Sequence, residues 1–126
     1  MQFVRKITQN DEKLLEDFLI PHTPFVYFMR SNAKKAGLNY EGKEYQADYF
    51  AYFENDKIKG VLAHHWIGSL QIFAPIKSSR ALLTKEFLKH LQANPRDIKL
   101  ILGPQDHCQD ICDIYPSSMN IRKFVT

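Results

Sequence analysis

Three runs rich in β-branched and aromatic residues, joined by two short polar turns, occupy the middle of the chain. The runs cover residues 47–54, 58–66 and 70–75, and the turns are Asn55-Asp56 and Gly68-Ser69. Connections of two small or polar residues typically join antiparallel strands. The pattern therefore predicts an antiparallel meander in this segment.

Side-chain alternation assigns faces to the second of these strands. Successive residues of a strand point to opposite sides of the sheet. Strict alternation therefore predicts Ile58, Leu62 and Trp66 on one face, with Val61 and Ala63 on the other.

Apolar residues at helical spacing precede the meander and predict two helices. The first begins near Asn10, a favoured N-cap residue, and stops before Pro21. The second begins at Thr23-Pro24 and ends at Gly37, a residue type common just after a helix. Its apolar stripe is expected to face the core and comprises Phe25, Phe28, Met29, Ala33 and Ala36.

The second half of the chain continues with a helix, a strand and a helix. Residues 78–92 have helical spacing, 98–102 form a near-continuous apolar run, and a last helix is predicted over 105–114. A strand, a crossover helix and another strand imply parallel pairing, so 98–102 is expected beside 70–75. A short strand at 2–7 completes the pattern. We predict an α/β (α+β) fold, with a mixed, mainly antiparallel sheet flanked by helices on both faces.

Length and composition are those of one packed domain. The chain has 126 residues, 44% of them hydrophobic, which predicts a core over about 2–115 and a tail or edge strand at 116–126. A net charge of +3 is too small to indicate a nucleic-acid partner. No apolar run approaches the roughly 20 residues that span a bilayer, and the amino terminus lacks a signal-peptide pattern. We therefore expect a cytoplasmic protein without a membrane partner, and a small nucleic-acid-binding α+β domain is the least favoured of the functions considered.

Two pairs of residues invite a chemical interpretation but fit a structural one better. His64 and His65 are neighbours on a predicted strand, so their rings face opposite ways and cannot share a ligand. Cys108 and Cys112 lie four residues apart in a predicted helix, whereas a closed zinc site needs about four ligands. We expect structural side chains at these positions and no metal.

The charged candidates are explained by solvation. Glu54 could act as a general base at the end of a central strand, but within Glu-Asn-Asp-Lys it is typical of a solvated turn. Arg30, Lys34 and Lys35 are expected on a solvated helix face. The sequence identifies no catalytic residue.

Five short motifs accompany this order of predicted elements. They are Phe28-Met-Arg-Ser-Asn-Ala-Lys-Lys-Ala-Gly-Leu, Tyr40-Glu-Gly, Tyr45-Gln, Trp66-Ile-Gly-Ser-Leu and Leu102-Gly-Pro. Motifs and order together resemble the GNAT N-acetyltransferase superfamily over about residues 3–114. More narrowly, the chain is similar to the amino-terminal unit of bacterial proteins that join two GNAT-like units.

The resemblance implies a place for acetyl-CoA between the fourth and fifth strands, with its pyrophosphate at the start of the next helix. The corresponding residues are Ile72, Phe73 and Ala74 for the pantetheine arm, and Ser78, Ser79 and Arg80 for the pyrophosphate. The superfamily has a glycine-rich loop there, because backbone N–H groups must approach phosphate closely. Residues 76–82 contain no glycine. We therefore expect weak or absent binding of acetyl-CoA.

Two functions remain open at this point. The first is a GNAT-like N-acetyltransferase domain that transfers acetyl from acetyl-CoA to a small amine, as an amino-terminal or truncated unit with a degenerate pyrophosphate loop. The second is a non-catalytic binding or scaffolding module, in which a groove lined by residues 25–46 binds a ligand or a second domain. The absent glycines favour the second hypothesis, and the superfamily resemblance favours the first.

The resemblance also implies two further strands beyond the fifth. The residues after 116 suffice for one strand at most. The sheet edge beyond 98–102, with Ile121, Phe124 and Val125, is therefore expected to be covered by another copy of the chain or by a missing carboxy-terminal domain.

Overall fold

Six strands form one mixed sheet in the computed structural model, which describes residues 2–115 and the backbone of 124–125. They lie in sequence order across the sheet: β1 (Gln2–Lys6), β2 (Ala47–Glu54), β3 (Lys57–His65), β4 (Ser69–Phe73), β5 (Leu100–Leu102) and β6 (Phe124–Val125). Neighbours from β1 to β4 pair antiparallel, whereas β4–β5 and β5–β6 pair parallel. The predicted meander and the predicted parallel strand are confirmed.

Helices cover both faces of this sheet, as predicted. They are α1 (Glu12–Leu19), α2 (Thr23–Ala36), α3 (Lys77–Ala93) and α4 (Gln105–Ile114). The pair α1 and α2 packs on one face, and the pair α3 and α4 packs on the other. Among the described residues, no helix has both the length and the apolar character needed to cross a membrane.

The central strand β2 is buried on both sides and joins two cores. Tyr49 and Phe53 point into a core with Leu19 of α1. Phe50 points the other way, into a core with Phe87 of α3, and the two rings meet edge to face at 5.9 Å. Burial of each large side chain contributes roughly 1.5–3 kcal/mol, so β2 anchors both helical layers.

A β-bulge overturns the predicted faces of β3. Tyr52 pairs with Gly60 but Phe53 pairs with Ile58, so Lys59 is an extra residue on β3. Ile58 therefore lies in the same core as Val61 and Ala63, and not with Leu62 as strict alternation predicts. Trp66 follows the end of β3 and belongs to neither core.

A kink in α2 changes which of its residues are buried. Val26 has non-helical backbone angles (φ −128°, ψ 25°), which breaks the helical phase. Val26 and Met29 are buried, whereas Phe28 is 70% exposed. The predicted burial of Phe28 is therefore wrong. The side chain of Phe25 lies outside the described part of the chain.

The start of α1 also differs from the prediction of an Asn10 cap. A short 3-10 turn (Gln9–Asp11) precedes the helix, and Asp11 Oδ2 accepts the backbone N–H of Thr8 at 2.9 Å. The same carboxylate receives both terminal nitrogens of Arg5, at 2.8 and 2.9 Å. These bonds hold the pKa of Asp11 below its ordinary value and tie β1 to α1.

The expected exposed edge beyond β5 is covered by the chain itself. Ile101 pairs with Phe124 and Leu102 pairs with Val125, both in parallel register. The predicted edge strand within residues 116–126 thus lies on β5 at residues 124–125. Coverage of the tail by another copy or by a further domain stays a prediction. Ile121 and the side chains of Phe124 and Val125 lie outside the described residues.

Candidate functional site

A groove runs between α2 and the strands β4 and β5. Its volume is about 520 Å³, within the range of roughly 300–1,000 Å³ typical of small-molecule sites. We call it the aromatic groove. Its described lining residues are Tyr27, Phe28, Ser31, Asn32, Lys35, Tyr45, His65, Trp66, Ile67, Ser69, Gln71 and Leu102.

Aromatic side chains form the walls of the groove. Tyr27 and Phe28, on the first turns of α2, are 60% and 70% exposed and meet edge to face at 5.6 Å. Across from them, the rings of Tyr45 and Trp66 are 5.1 Å apart. Exposed aromatic surface gathered in one place is typical of an interaction site, whereas scattered exposed residues are not.

Helical spacing places the α2 part of the groove. Tyr27, Ser31 and Lys35 are separated by four residues each, so they follow one stripe of the helix. Arg30 points away from this stripe and binds Glu16 of α1, with nitrogen–oxygen distances of 2.6 and 2.7 Å. This ion pair lowers the pKa of Glu16 and fixes α2 against α1, which leaves the Tyr27 stripe open.

The loop after α2 is held so that Tyr45 reaches the groove. Gln46 Oε1 accepts the backbone N–H groups of Glu41 and Lys43 at 2.8 and 3.0 Å. Gln46 O also accepts the backbone N–H of Trp66 at 2.9 Å. Tyr45 has a positive φ of 68°, a strained conformation for a residue with a side chain. The motif residues Tyr45 and Gln46 thus shape one wall of the groove.

The floor of the groove is polar but uncharged. His65 Nε2 donates to Gln71 Oε1 at 3.0 Å. Burial lowers the pKa of His65, so its imidazole is neutral at pH 7. Ser69 lies beside this pair and is also buried.

Among the described lining residues, Lys35 carries the single formal charge. Its Nζ lies 4.7 Å from the ring centroid of Tyr45, a cation–π contact. No ion pair to Lys35 is formed within residues 2–115. The neighbouring Lys34 instead binds Glu16 at 3.3 Å. The sequence predicted that Arg30, Lys34 and Lys35 share one solvated helix face. In the structure, Arg30 and Lys34 bind Glu16, whereas Lys35 lines the groove.

The residues expected to hold a pyrophosphate do not share a surface. Ser78 is exposed, but Ser79 is buried and its Oγ donates to Ile76 O at 2.6 Å. Arg80 is only 5% exposed, and its Nε donates to Ala74 O at 2.9 Å. The guanidinium thus points into the protein, between α3 and the end of β4.

Carboxylates of α4 neutralise the cations at the start of α3. Arg80 Nη1 lies 3.3 Å from Asp106 Oδ2 and 3.0 Å from Asp110 Oδ2. Lys77 Nζ also binds Asp110, at 3.1 Å. Hydrogen bonds from Arg80 and Lys77 hold the pKa of Asp110 below its ordinary value, so this carboxylate stays negative at neutral pH. Two cations and two carboxylates cancel where the resemblance implies a phosphate.

The segment expected to pair with pantetheine is enclosed. Ile72, Phe73 and Ala74 are all buried. The β4–β5 ladder ends at Gln71 and Leu102, and Gly103 then passes so close that a Cβ there would lie 2.6 Å from Ile72 O. The ring of Phe73 contacts His107 of α4 at a centroid distance of 5.8 Å.

The remaining sequence candidates are structural. His64 Nε2 donates to Asp97 O at 2.9 Å, and burial lowers the pKa of His64 to about 4. His64 contacts Phe87 under α3 while His65 lines the groove on the opposite face, as alternation predicts. Glu54 Oε2 accepts the hydroxyl of Tyr52 at 2.7 Å.

Cys108 and Cys112 are both free thiols. Burial raises the pKa of Cys108 to about 11 and also raises that of Cys112, which is less deeply buried. No group of three or more His, Cys, Asp or Glu side chains suited to a metal occurs among the described residues.

A second cavity lies at the other end of the sheet. It has a volume of about 660 Å³ and adjoins Pro75 and Ile76, just before α3. Lys57 and Lys59 line it, but so do Asp17 and Asp56, so its charge is mixed.

Comparison of the chain with protein-family models, with curated proteins and with solved structures gives no match. The assignment of a function therefore rests on the geometry of the aromatic groove and of the α3–α4 contact. Tyr27, Phe28 and Lys35 lie within residues 25–46, the range that the binding-module hypothesis gave for a groove. The sequence patterns did not single them out, because exposure on a kinked helix has no local signature.

Proposed function

We propose that this chain is a binding unit of the GNAT type, which binds a small ligand in the aromatic groove and leaves acetyl transfer to a separate catalytic unit. One observation carries the proposal. Among the described residues, four of the six exposed large apolar side chains line this one groove, namely Tyr27, Phe28, Tyr45 and Ile67, with Ile20 and Leu82 elsewhere. Their exposure costs free energy in water, so a ligand that covers them is stabilised.

The contact between α3 and α4 supports the non-catalytic part of the proposal. An acetyl-CoA pyrophosphate at the start of α3 would have to displace Asp110 from Lys77 and Arg80. The pyrophosphate would replace one counter-anion of these cations by another, so its gain is reduced by the contacts with Asp110 that it breaks. Anion binding at this helix terminus is therefore disfavoured despite the favourable helix dipole.

A neutral fluorescent probe tests the groove without testing charge. N-phenyl-1-naphthylamine, which is uncharged at pH 7, should bind the full chain and gain fluorescence as it leaves water. Phe28→Ser removes exposed groove wall and should weaken this binding, whereas Leu82→Ser removes an equally apolar exposed residue on α3 outside the groove and should not. Equal loss of binding in both variants, or no binding of the probe to the wild-type chain, would contradict the proposal.

The second candidate function is that this chain itself is an N-acetyltransferase. The cavity beside Pro75 and Ile76, with Lys57 and Lys59, favours it, since it adjoins the expected cofactor position. In that reaction the amine nitrogen attacks the thioester carbonyl, a C–N bond forms, the C–S bond breaks and CoA leaves as its thiol after proton transfer. The nitrogen loses one proton in the same sequence.

Titration calorimetry with acetyl-CoA separates the two candidates. The binding-unit proposal expects weak or absent binding at modest salt. A micromolar or tighter dissociation constant would support the transferase. It would also show that the ion pairs between α3 and α4 do not prevent acetyl-CoA from binding.

A further inference from the structure

We infer that the aromatic groove selects carboxylates over amines, and that its ligand is an aromatic or branched aliphatic molecule with one carboxylate held by Lys35. The inference rests on the proposed function, because it names the ligand class of the same groove. It departs from the small amine that the superfamily resemblance implies.

The charge of the groove carries the argument. Lys35 has no acidic partner among the described residues, and no Asp or Glu is among the described lining residues. His65 adds no charge, since it is buried and neutral. A ligand carboxylate would therefore form the single ion pair that the groove offers, and it would do so without displacing an existing one.

An ammonium group has no comparable place. It would meet the charge of Lys35 with no carboxylate to offset the repulsion. Aromatic walls can bind cations through their ring faces, but Lys35 already occupies a face of Tyr45, at 4.7 Å from the ring centroid. The groove therefore differs from an aromatic cage for amines in that one of its rings already contacts a cation and no acidic group is among its described lining residues.

The remaining walls suit a flat or branched apolar body. Tyr27 and Phe28 on one side and Trp66 on the other offer rings at the groove surface, and Ile67 is half exposed beside Trp66. Ser31, on the same stripe of α2 as Lys35, and its neighbour Asn32 supply neutral donors for a second carboxylate oxygen. An aryl carboxylate thus matches both parts of the groove.

Three probes of similar shape isolate the charge. They are 3-phenylpropionate, 3-phenylpropanamide and 3-phenylpropylamine, which is protonated at pH 7. Trp66 is the one tryptophan in the chain and lies in the groove, so its fluorescence reports binding directly. We expect the carboxylate to bind most tightly, and the Lys35→Gln variant to bind it about two- to fivefold more weakly. The affinity for the amide should not change in that variant.

Lys34→Gln is the matched control, because Lys34 is the adjacent lysine but binds Glu16 instead of lining the groove. It should leave all three affinities unchanged. If the amine binds as tightly as the carboxylate, or if Lys35→Gln keeps the preference, the inference is overturned while the groove proposal stands. The inference also fails, and the groove proposal stands, if the neutral naphthylamine binds but none of the three probes does. If neither the naphthylamine nor any probe binds, both are overturned.

Discussion

Replacement of Arg80 by methionine separates a structural role from a cofactor-binding role. The superfamily resemblance places Arg80 at a pyrophosphate, whereas the structure has it 5% exposed and bonded to Ala74 O, Asp106 and Asp110. Methionine keeps most of the buried apolar stem and removes only the guanidinium. The change therefore tests the polar contacts with little loss of packing.

The expected cost follows from those contacts. The bond from Arg80 Nε to the buried Ala74 carbonyl has a charged donor, a class that contributes about 1.5–3 kcal/mol. Its loss also leaves a buried acceptor unsatisfied. Asp110 keeps Lys77 as a partner and so does not become an isolated charge. We therefore expect the free energy of unfolding to fall by about 2–4 kcal/mol.

Urea unfolding measures this loss, with Lys77→Met as the control. Lys77 binds the same carboxylate at 3.1 Å, but its side chain is 78% exposed, so its removal should cost less than about 1 kcal/mol. At typical urea sensitivities, the Arg80→Met midpoint should fall by about 1–2 M, with the denaturant dependence unchanged.

One pair of results would refute this account of Arg80. If Arg80→Met is no less stable than Lys77→Met, the guanidinium does not support the fold. If acetyl-CoA binds the wild type and not this equally stable variant, the residue is a cofactor ligand, as the resemblance implies, and the binding-unit proposal fails with it.

Three further outcomes are expected. Burial lowers the pKa of His64 to about 4, so as the pH falls the unfolded chain binds this proton before the folded chain does. The free energy of unfolding should therefore drop by up to roughly 3 kcal/mol between about pH 6.5 and 4. Urea titrations of wild type and His64→Gln check this, and an identical pH slope in both would contradict it. Gly103→Ala would bring a Cβ to 2.6 Å from Ile72 O and should lower the free energy of unfolding by more than about 2 kcal/mol, as measured by thermal unfolding. Unchanged stability would argue against this close approach of Gly103 to Ile72. Iodoacetamide should modify Cys112 before Cys108, which is deeper and has a pKa of about 11. Mass spectrometry of the native protein shows the order, and the reverse order would argue against it.

Much of the fold could be predicted from local patterns. The runs at 47–54 and 70–75 became β2 and β4 within two residues, because alternation and turn chemistry act between near neighbours in the chain. Both turn residues Asn55 and Asp56 have positive φ, as a tight hairpin requires. Parallel pairing of β5 with β4 followed from the intervening helix, since a crossover helix returns the chain to the end of the sheet where the previous strand began.

Errors arose where a distant contact overrides the local pattern. The bulge in β3 lies beside Gly60, where an added Cβ would stand 3.1 Å from Ala74 Cβ and 3.4 Å from Ser79 Oγ of α3, so residues distant in the sequence leave little room for a side chain there. The exposure of Phe28 depends on a kink at Val26, which no spacing rule marks. Neither feature can be derived from the residues adjacent in sequence.

Some features of the candidate site follow from the sequence, and others depend on the tertiary structure. The sequence by itself determined that residues 76–82 lack the glycines of a phosphate loop, because that absence is a property of composition. Only the tertiary structure decided that Arg80 faces inward, since its partners Asp106 and Asp110 lie on another helix. Likewise, Lys35 and Trp66 share one groove because α2 and the end of β3 meet there in space. The numbers of charged and aromatic residues follow from the sequence alone. Which charges form ion pairs, and which rings stay exposed to solvent, depends on how the folded elements pack.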